Sequence, residues 1–378
     1  MNRREGGPVQ MSAADINDAD IAAVLEVLRS GRLALGPNAA RFEHLMADYV
    51  GAQEAVAVSS GTAALHLIVK ALGLGRGDEV LVPSFTFAAS VNALLYEGVV
   101  PVFVDVEPET YNIDPHDLEQ KISSRTKAVM VVDIFGHPAE WDEILRIADK
   151  YGLGVIDDSC EALGAEYRGR KIGQFGDAAA FAFYPNKQMT TGEGGIIVTN
   201  NDKVARLARS MRNQGRGEMG AWLEHERLGY NYRLDEMSAA LGVSQLRRIE
   251  SFLEKRERVA QMYTESLSRF SWVRPPVVRP YVRTSWFVYV VMLAEGLDRD
   301  SVMRRMEKLG VPSRGYFSPI HLQPYVRESM GTKKGMLPVT ENVAQRTLAL
   351  PFHNNISEEQ VQQVVEALRC AVDQVAAT

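Results

Sequence analysis

Cysteine is scarce: Cys160 and Cys370 are the only two in 378 residues. Two cysteines leave no disulfide framework and no cysteine cluster for a metal. The seven histidines are scattered without ligand spacing, so no metal site is expected. Long apolar runs are missing too, and the N-terminal stretch "MNRREGGPVQMSAADINDAD" lacks the apolar core of a signal peptide. A reducing cytoplasm is therefore the expected compartment, with no membrane association. An excess of basic charge is also absent: 42 Lys+Arg face 48 Asp+Glu, a net charge of −6. That balance argues against nucleic-acid or anionic-membrane binding by bulk electrostatics. There is no internal repeat and no low-complexity segment.

What is present is an ordinary globular composition, 46% apolar and 24% charged, with material for a sizeable core. From about residue 53 to 200, short apolar runs alternate with helical patterns. "EAVAVSS", "DEVLVP", "VPVFVDV", "KAVMVVDIF" and "GVIDDS" read as strands, separated by helices such as "GTAALHLIVKALGL" and "PAEWDEILRIADKYG". Continuous apolar strands with helices between them imply a largely parallel sheet covered on both faces. "DAAAFAFYP" and "GGIIVTN" have no room for a helix between them, so an antiparallel pairing there makes the sheet mixed. Further on, "LDEMSAALGVSQLRRIESFLEKRERVAQMYTESL" reads as one long or kinked helix. After the break at "RPPVVRP" come the strand "SWFVYVVML" and two helical stretches, "RDSVMRRMEKLG" and "SEEQVQQVVEALRCAVDQV". The fold class is α/β, with a large domain over 1–250 that includes an N-terminal helix and a smaller C-terminal α/β domain over 251–378.

Two apparent signals carry nothing. "GLGRG" at 73–77 has the glycines of a dinucleotide loop but follows a helix and precedes a strand, the reverse of the required order. "RRIESFLEKRER" mixes both charge signs on a helix and reads as a solvated face.

Three other stretches suggest chemistry. "SSGTAAL", Ser59 to Leu65, takes a strand straight into a helix start, where free backbone N–H groups and the helix dipole favour an anion; an ordinary N-cap is the plain alternative. In "VIDDSCEALGA", Asp157 and Asp158 end a buried strand, where a carboxylate is costly unless paired, and where open α/β sheets place their ligands. One of the two could equally cap the next turn. In "FAFYPNKQMTTGEGG", Lys187 sits among aromatic residues and glycines; it is either a snorkelling loop residue or a desolvated amine able to form Schiff bases. Together, an anion cup, a strand-end carboxylate and a loop lysine 29 residues later are the parts that pyridoxal phosphate requires. "PSFTF" at 83–87 adds aromatics for the cofactor ring to stack on.

At this point the chain resembles a known family, the DegT/DnrJ/StrS sugar aminotransferases, which have the aspartate-aminotransferase fold (fold type I). The resemblance runs from about residue 10 to the C-terminus through "SGRLALGPNAARFE", "SSGTAALHL", "VPSFTFAASVNALLYEGVVPVFVDV", "VIDDSCEALGA", "FYPNKQMTTGEGGIIVTN", "GYNYRLDEMSAALGVSQL" and "YFSPIHLQPY". It implies that Lys187 is the Schiff-base lysine and that Asp158, rather than Asp157, holds the pyridine nitrogen. Gly61 and Thr62 match the phosphate cup, and Phe87 the stacking aromatic. Asn231 matches an asparagine that reaches the phosphate in the neighbouring subunit, which implies a homodimer with shared active sites. His321 falls at a substrate-side position or has a packing role. Glu161 stands where many members have glutamine near the cofactor's phenolic oxygen, so its carboxyl must be protonated or paired. Ala182 replaces a serine that donates to the phosphate, leaving Tyr184 or Asn186 to compensate. Arg32 and Arg314 are candidates for the substrate's diphosphate on charge grounds alone.

The implied reaction is a ping-pong transamination from glutamate to a nucleotide-linked keto-deoxysugar, with Lys187 as the general base. Two alternatives stay open: a keto-cyclitol or other ketone of antibiotic biosynthesis as acceptor, and a non-catalytic regulatory member of the family.

Overall fold

Seven apolar runs become the strands of one sheet: β1 (Glu54–Val58), β2 (Glu79–Pro83), β3 (Val100–Val104), β4 (Thr126–Val132), β5 (Gly154–Asp158), β6 (Ala178–Ala182) and β7 (Gly195–Thr199). The computed structural model describes residues 9–217 and 224–376; the first eight residues of the polar N-terminal stretch lie outside that range. The sheet order is β1-β7-β6-β5-β4-β2-β3. β3, β2, β4, β5 and β6 pair in parallel, whereas β7 is antiparallel to both β6 and β1. The mixed sheet expected from the short 178–199 hairpin is therefore present. Because β7 alone is reversed, the carboxyl ends of β1, β2, β4, β5 and β6 open along one edge.

Strand alternation sorts the buried residues onto two faces. Val56, Val80, Val82, Met130, Ile156 and Ala180 pack with helices Gly61–Ala71, Ala88–Tyr96 and Asp202–Arg212. Leu81, Val129, Val131 and Val155 point the other way, onto helix Trp141–Tyr151. Ala57, Ala179, Phe181 and Ile196 meet helices Pro37–Val50 and Glu236–Leu246. Both faces are covered, as near-continuous apolar strands demand.

The long helical stretch is two helices, Glu236–Leu246 and Ile249–Leu267. They break at Arg247–Arg248, where the Arg248 guanidinium turns aside to the fully buried carboxylate of Asp20 at 2.5 Å. Asp20 belongs to the N-terminal helix Asp18–Ser30. Helix Ile249–Leu267 is shared: Phe252 and Leu253 pack with the large sheet, and Val259, Tyr263 and Leu267 with the C-terminal core. That core holds an antiparallel sheet of Val273–Arg274, Tyr289–Leu293 and Thr347–Leu350 under helices Arg299–Lys308 and Glu358–Ala376. Among the described residues, no helix is long and apolar enough to cross a membrane.

Candidate active site

The first part of the site is built by close packing. β1 ends at Val58 and helix Gly61–Ala71 begins three residues later, with Ser60 as N-cap. Ser60 Oγ accepts from the Ala63 N–H at 3.1 Å. The N–H groups of Gly61 and Thr62 have no hydrogen-bond partner among the described residues. Gly195 pairs with Val58 across the sheet, and a Cβ there would lie 2.4 Å from the Ser60 carbonyl. A Cβ on Gly61 would lie 2.7 Å from Ala182 Cβ and 2.8 Å from Cys160 Sγ. Both glycines are thus required by approach distance. The result is a small cup of free N–H groups at the positive end of a helix, floored by Ala182 and Cys160. The position where a serine hydroxyl was expected does face this cup, and it carries only a methyl group.

Lys187 lies on the turn leaving β6. Its N–H donates to Tyr184 O at 2.9 Å, and Thr191 N–H returns to Phe183 O at 3.0 Å. Arg256, fully buried, clamps the turn by donating to Lys187 O at 2.9 Å and to Trp286 O at 2.9 Å. The lysine side chain is 13% exposed; Nζ lies 3.6 Å from Glu161 Oε1 and 3.9 Å from the Phe287 ring centroid. Glu161 is held from two sides. Its Oε2 accepts from the Phe135 N–H at 2.9 Å, and its carbonyl accepts from Gln188 Nε2 at 2.6 Å. Burial pushes the Glu161 carboxyl up, against the pull of Lys187 and the Phe135 N–H; the Asp158 charge pushes it further.

The two strand-end aspartates face opposite ways. Asp158, in register with the Ile156 face, accepts from Ser90 Oγ at 2.7 Å and from the Cys160 N–H at 3.3 Å. Asp157 is turned into the opposite core, bonded by Ser159 Oγ and by the Gly173 N–H at 3.2 Å, next to Asp133. Burial and the Asp133 carboxyl drive the Asp157 carboxyl well up, and burial pushes Asp133 up to about 7. Only Asp158 shares the side of the sheet on which the cup lies.

The other candidates divide. Phe87, at the mouth of this edge, is 63% exposed. Asn231 is exposed too, between Tyr230 and Tyr232, whose rings stack at 4.9 Å. Among the described residues of one chain, neither makes a hydrogen bond, ion pair or ring contact with Lys187. His321 is fully buried; its ring nitrogens engage Ser84 at 2.7 Å and Glu341 at 3.2 Å. Arg32 donates to Leu35 O and lines a separate cavity with Arg41 and Arg247. Arg314 is exposed and its charge reaches Tyr316, which in turn feels Glu161. Tyr184 is 52% exposed, and Asn186 has a buried amide oxygen without a hydrogen-bond partner among the described residues. Sequence reasoning missed Ser90, Phe135, Gln188, Arg256 and Phe287. Ser90 stood one helical turn after Phe87, a usable signal; Phe287 was hidden in a strand-like run.

These residues fit pyridoxal phosphate: free N–H groups for the phosphate, a shielded amine for the aldehyde carbon, and a buried carboxylate on the same side for the ring nitrogen. Fold and site together define a pyridoxal phosphate-dependent aminotransferase. The chain belongs to the DegT/DnrJ/EryC1/StrS aminotransferase family, whose model matches residues 14–369. It is 41% identical over 340 residues to a GDP-perosamine synthase of Caulobacter vibrioides, covering 89% of this chain and 90% of that protein. The structure of S. venezuelae DesV in complex with a ketimine intermediate superposes with a TM-score of 0.88 at 35% identity, over 94% of each chain. A Streptococcus pneumoniae protein solved in its PLP form gives a TM-score of 0.93 at 26% identity, over 98% of this chain and 100% of that one.

Proposed function

We propose that this aminotransferase moves an amino group from glutamate onto the keto carbon of a nucleotide-linked keto-deoxysugar. The observation that carries the chemistry is the shielded Lys187 amine beside Glu161, on the same sheet edge as Asp158 and the Gly61–Thr62 cup. The likeness to a GDP-perosamine synthase supports the sugar acceptor. When bound, pyridoxal phosphate supplies an electron sink. Gly61 and Thr62 would hold its phosphate, and Asp158, fixed by Ser90, would face its ring nitrogen. Lys187 would bear its aldehyde carbon and serve as general base at the substrate carbon. Arg314, exposed and linked to Glu161 only through Tyr316, offers a cation for the donor carboxylate or the acceptor diphosphate.

The reading includes a homodimer. Ile21, Leu25 and Leu28 form an exposed apolar stripe on helix Asp18–Ser30, and Leu35, Phe87 and Leu228 are exposed as well. A partner subunit would cover such surface and bring its Asn231 to the phosphate. The experiment is a screen of amine transfer from glutamate onto 3-keto and 4-keto nucleotide sugars. Transfer to at least one, and its loss by roughly a thousandfold in K187A, is the expected outcome. A folded K187A that transfers as fast as the native chain would sink the reading.

A further inference from the structure

Glu161 is a poor companion for a lysine whose task requires a neutral amine. Its side chain is 8% exposed and its Oε2 is fixed by the Phe135 N–H, so Oε1 cannot swing away from Nζ without breaking that bond. Phe135 sits in the left-handed region, with φ 59° in the turn Ile134–Gly136. A Cβ on Gly136 would lie 3.0 Å from Glu161 O and 2.7 Å from Ser285 Oγ, so the turn is pressed onto the carboxylate's own backbone. The charged and titratable groups facing this carboxyl are Lys187, Asp158, the Cys160 thiol and Tyr316. Arg256 stands behind the turn, bonded to Lys187 O. Among the described residues, Lys187 is therefore the one cation directly against Glu161, and Asp158 is a second anion nearby.

We propose that Glu161 takes the proton that Lys187 must shed when its amine is joined to the cofactor, and thereafter stands as a neutral carboxyl that donates a hydrogen bond into the site. The inference rests on Lys187 carrying pyridoxal phosphate. The step balances within the pair. Nζ begins as an ammonium beside a carboxylate. As the C=N bond forms, the aldehyde C=O bond breaks and its oxygen leaves as water with two of the ammonium protons. The third proton passes from Nζ to Glu161 Oε1, so an ion pair becomes an acid with no charge left unpaired. In a water-poor pocket that already holds Asp158, neutralising a carboxylate whose cation has gone is favoured over leaving it charged. Burial raises this carboxyl in the direction the transfer needs. When an amino donor displaces Lys187 from the cofactor, the amine is regenerated neutral beside a neutral acid, with no carboxylate next to it to hold it as an ammonium. Glu161 thus keeps the base in its working form.

The test counts protons. Calorimetric titration of the apo protein with pyridoxal phosphate, in buffers of different ionisation enthalpy, gives the protons released per site. The native chain is expected to release one fewer than E161Q at the same pH, because glutamine has nowhere to store it. E161Q retains an amide oxygen for the Phe135 N–H, so the turn is preserved. Infrared difference spectra of the native chain alone should show a protonated-carboxyl band that grows on cofactor binding; this readout does not depend on a variant folding. Equal proton counts, or no such band, overturn the proposal while leaving the aminotransferase reading intact. Borohydride reduction that fixes the cofactor elsewhere than on Lys187 would overturn both.

Discussion

A buried carboxylate needs a partner, and Asp133, Asp157 and Asp158 solve that need differently. Asp158 accepts hydrogen bonds from Ser90 and Cys160 and faces the site. Asp133 and Asp157, behind the strand ends, lie near each other in the core, where burial pushes both carboxyls up. Asp133 Oδ1 accepts from the Ala139 N–H at 2.7 Å and from Trp141 Nε1 at 3.1 Å. Burial raises its carboxyl from 3.8 to about 7. The folded state therefore binds a proton that the unfolded chain has released, over the window between those two values. Stability contributed by this proton is complete below about pH 4 and lost as the pH rises towards 7, by up to about 1.4 kcal/mol per pH unit. D133N keeps the acceptor oxygen for Ala139 and Trp141 while removing the titration. Its melting temperature should fall less than that of the native chain between pH 4 and 7; parallel curves would show that the pair does not titrate there.

Elements place these residues by how tightly they meet. Gly195 on β7 lets the sheet approach the start of helix Gly61–Ala71, and G195A would set a methyl 2.4 Å from the Ser60 carbonyl and 2.7 Å from the Gly61 nitrogen. Overpacking of this kind costs about 1–3 kcal/mol, and here it would also tilt the cup's N–H groups, so weaker cofactor affinity should accompany the lower melting temperature. Further along the same helix, His66 and Lys70 meet Glu97 at 2.7 and 2.9 Å, and Tyr230 OH reaches it at 3.1 Å. This cluster fastens the Tyr230–Tyr232 segment onto helix Gly61–Ala71, helped by the Ser59 N–H donating to Tyr232 O at 2.8 Å. E97A leaves several polar groups without their acceptor and should cost about 2 kcal/mol in denaturant unfolding; an unchanged midpoint would contradict the clamp. At this scale much was legible from sequence. Uninterrupted runs such as "KAVMVVDIF" announced parallel strands, and the short 182–195 loop announced the reversed β7. The choice between Asp157 and Asp158 was not legible from alternation alone, because each side of the sheet is covered and only tertiary packing shows which side holds the cup. The sequence left open a kink in this helical stretch but not its place; the partner that Arg248 turns to, Asp20, is 228 residues away. The two-residue strands Glu166–Tyr167 and Arg170–Lys171 are too short to carry any periodicity.

On the scale of the whole molecule, two of the residues assigned to the site stand open to solvent in a single chain. Phe87 and Asn231 are exposed, and the large apolar side chains of the N-terminal helix look outward. If each cofactor draws Lys187 from one subunit and Asn231 from the other, K187A and N231A fail for different reasons and lie on opposite sides of the same site. Each variant alone forms dimers in which both sites are damaged. Subunits exchanged at equal concentration give mixed dimers in which one site collects both defects and the other collects none. With random pairing, about a quarter of all sites are restored. Transfer by the mixture should therefore rise well above the average of the two separate variants, towards about a quarter of native activity when N231A is itself nearly inactive. Activity that stays at that average, in a mixture shown by mass to contain mixed dimers, would place Asn231 in its own subunit's site or outside the site altogether.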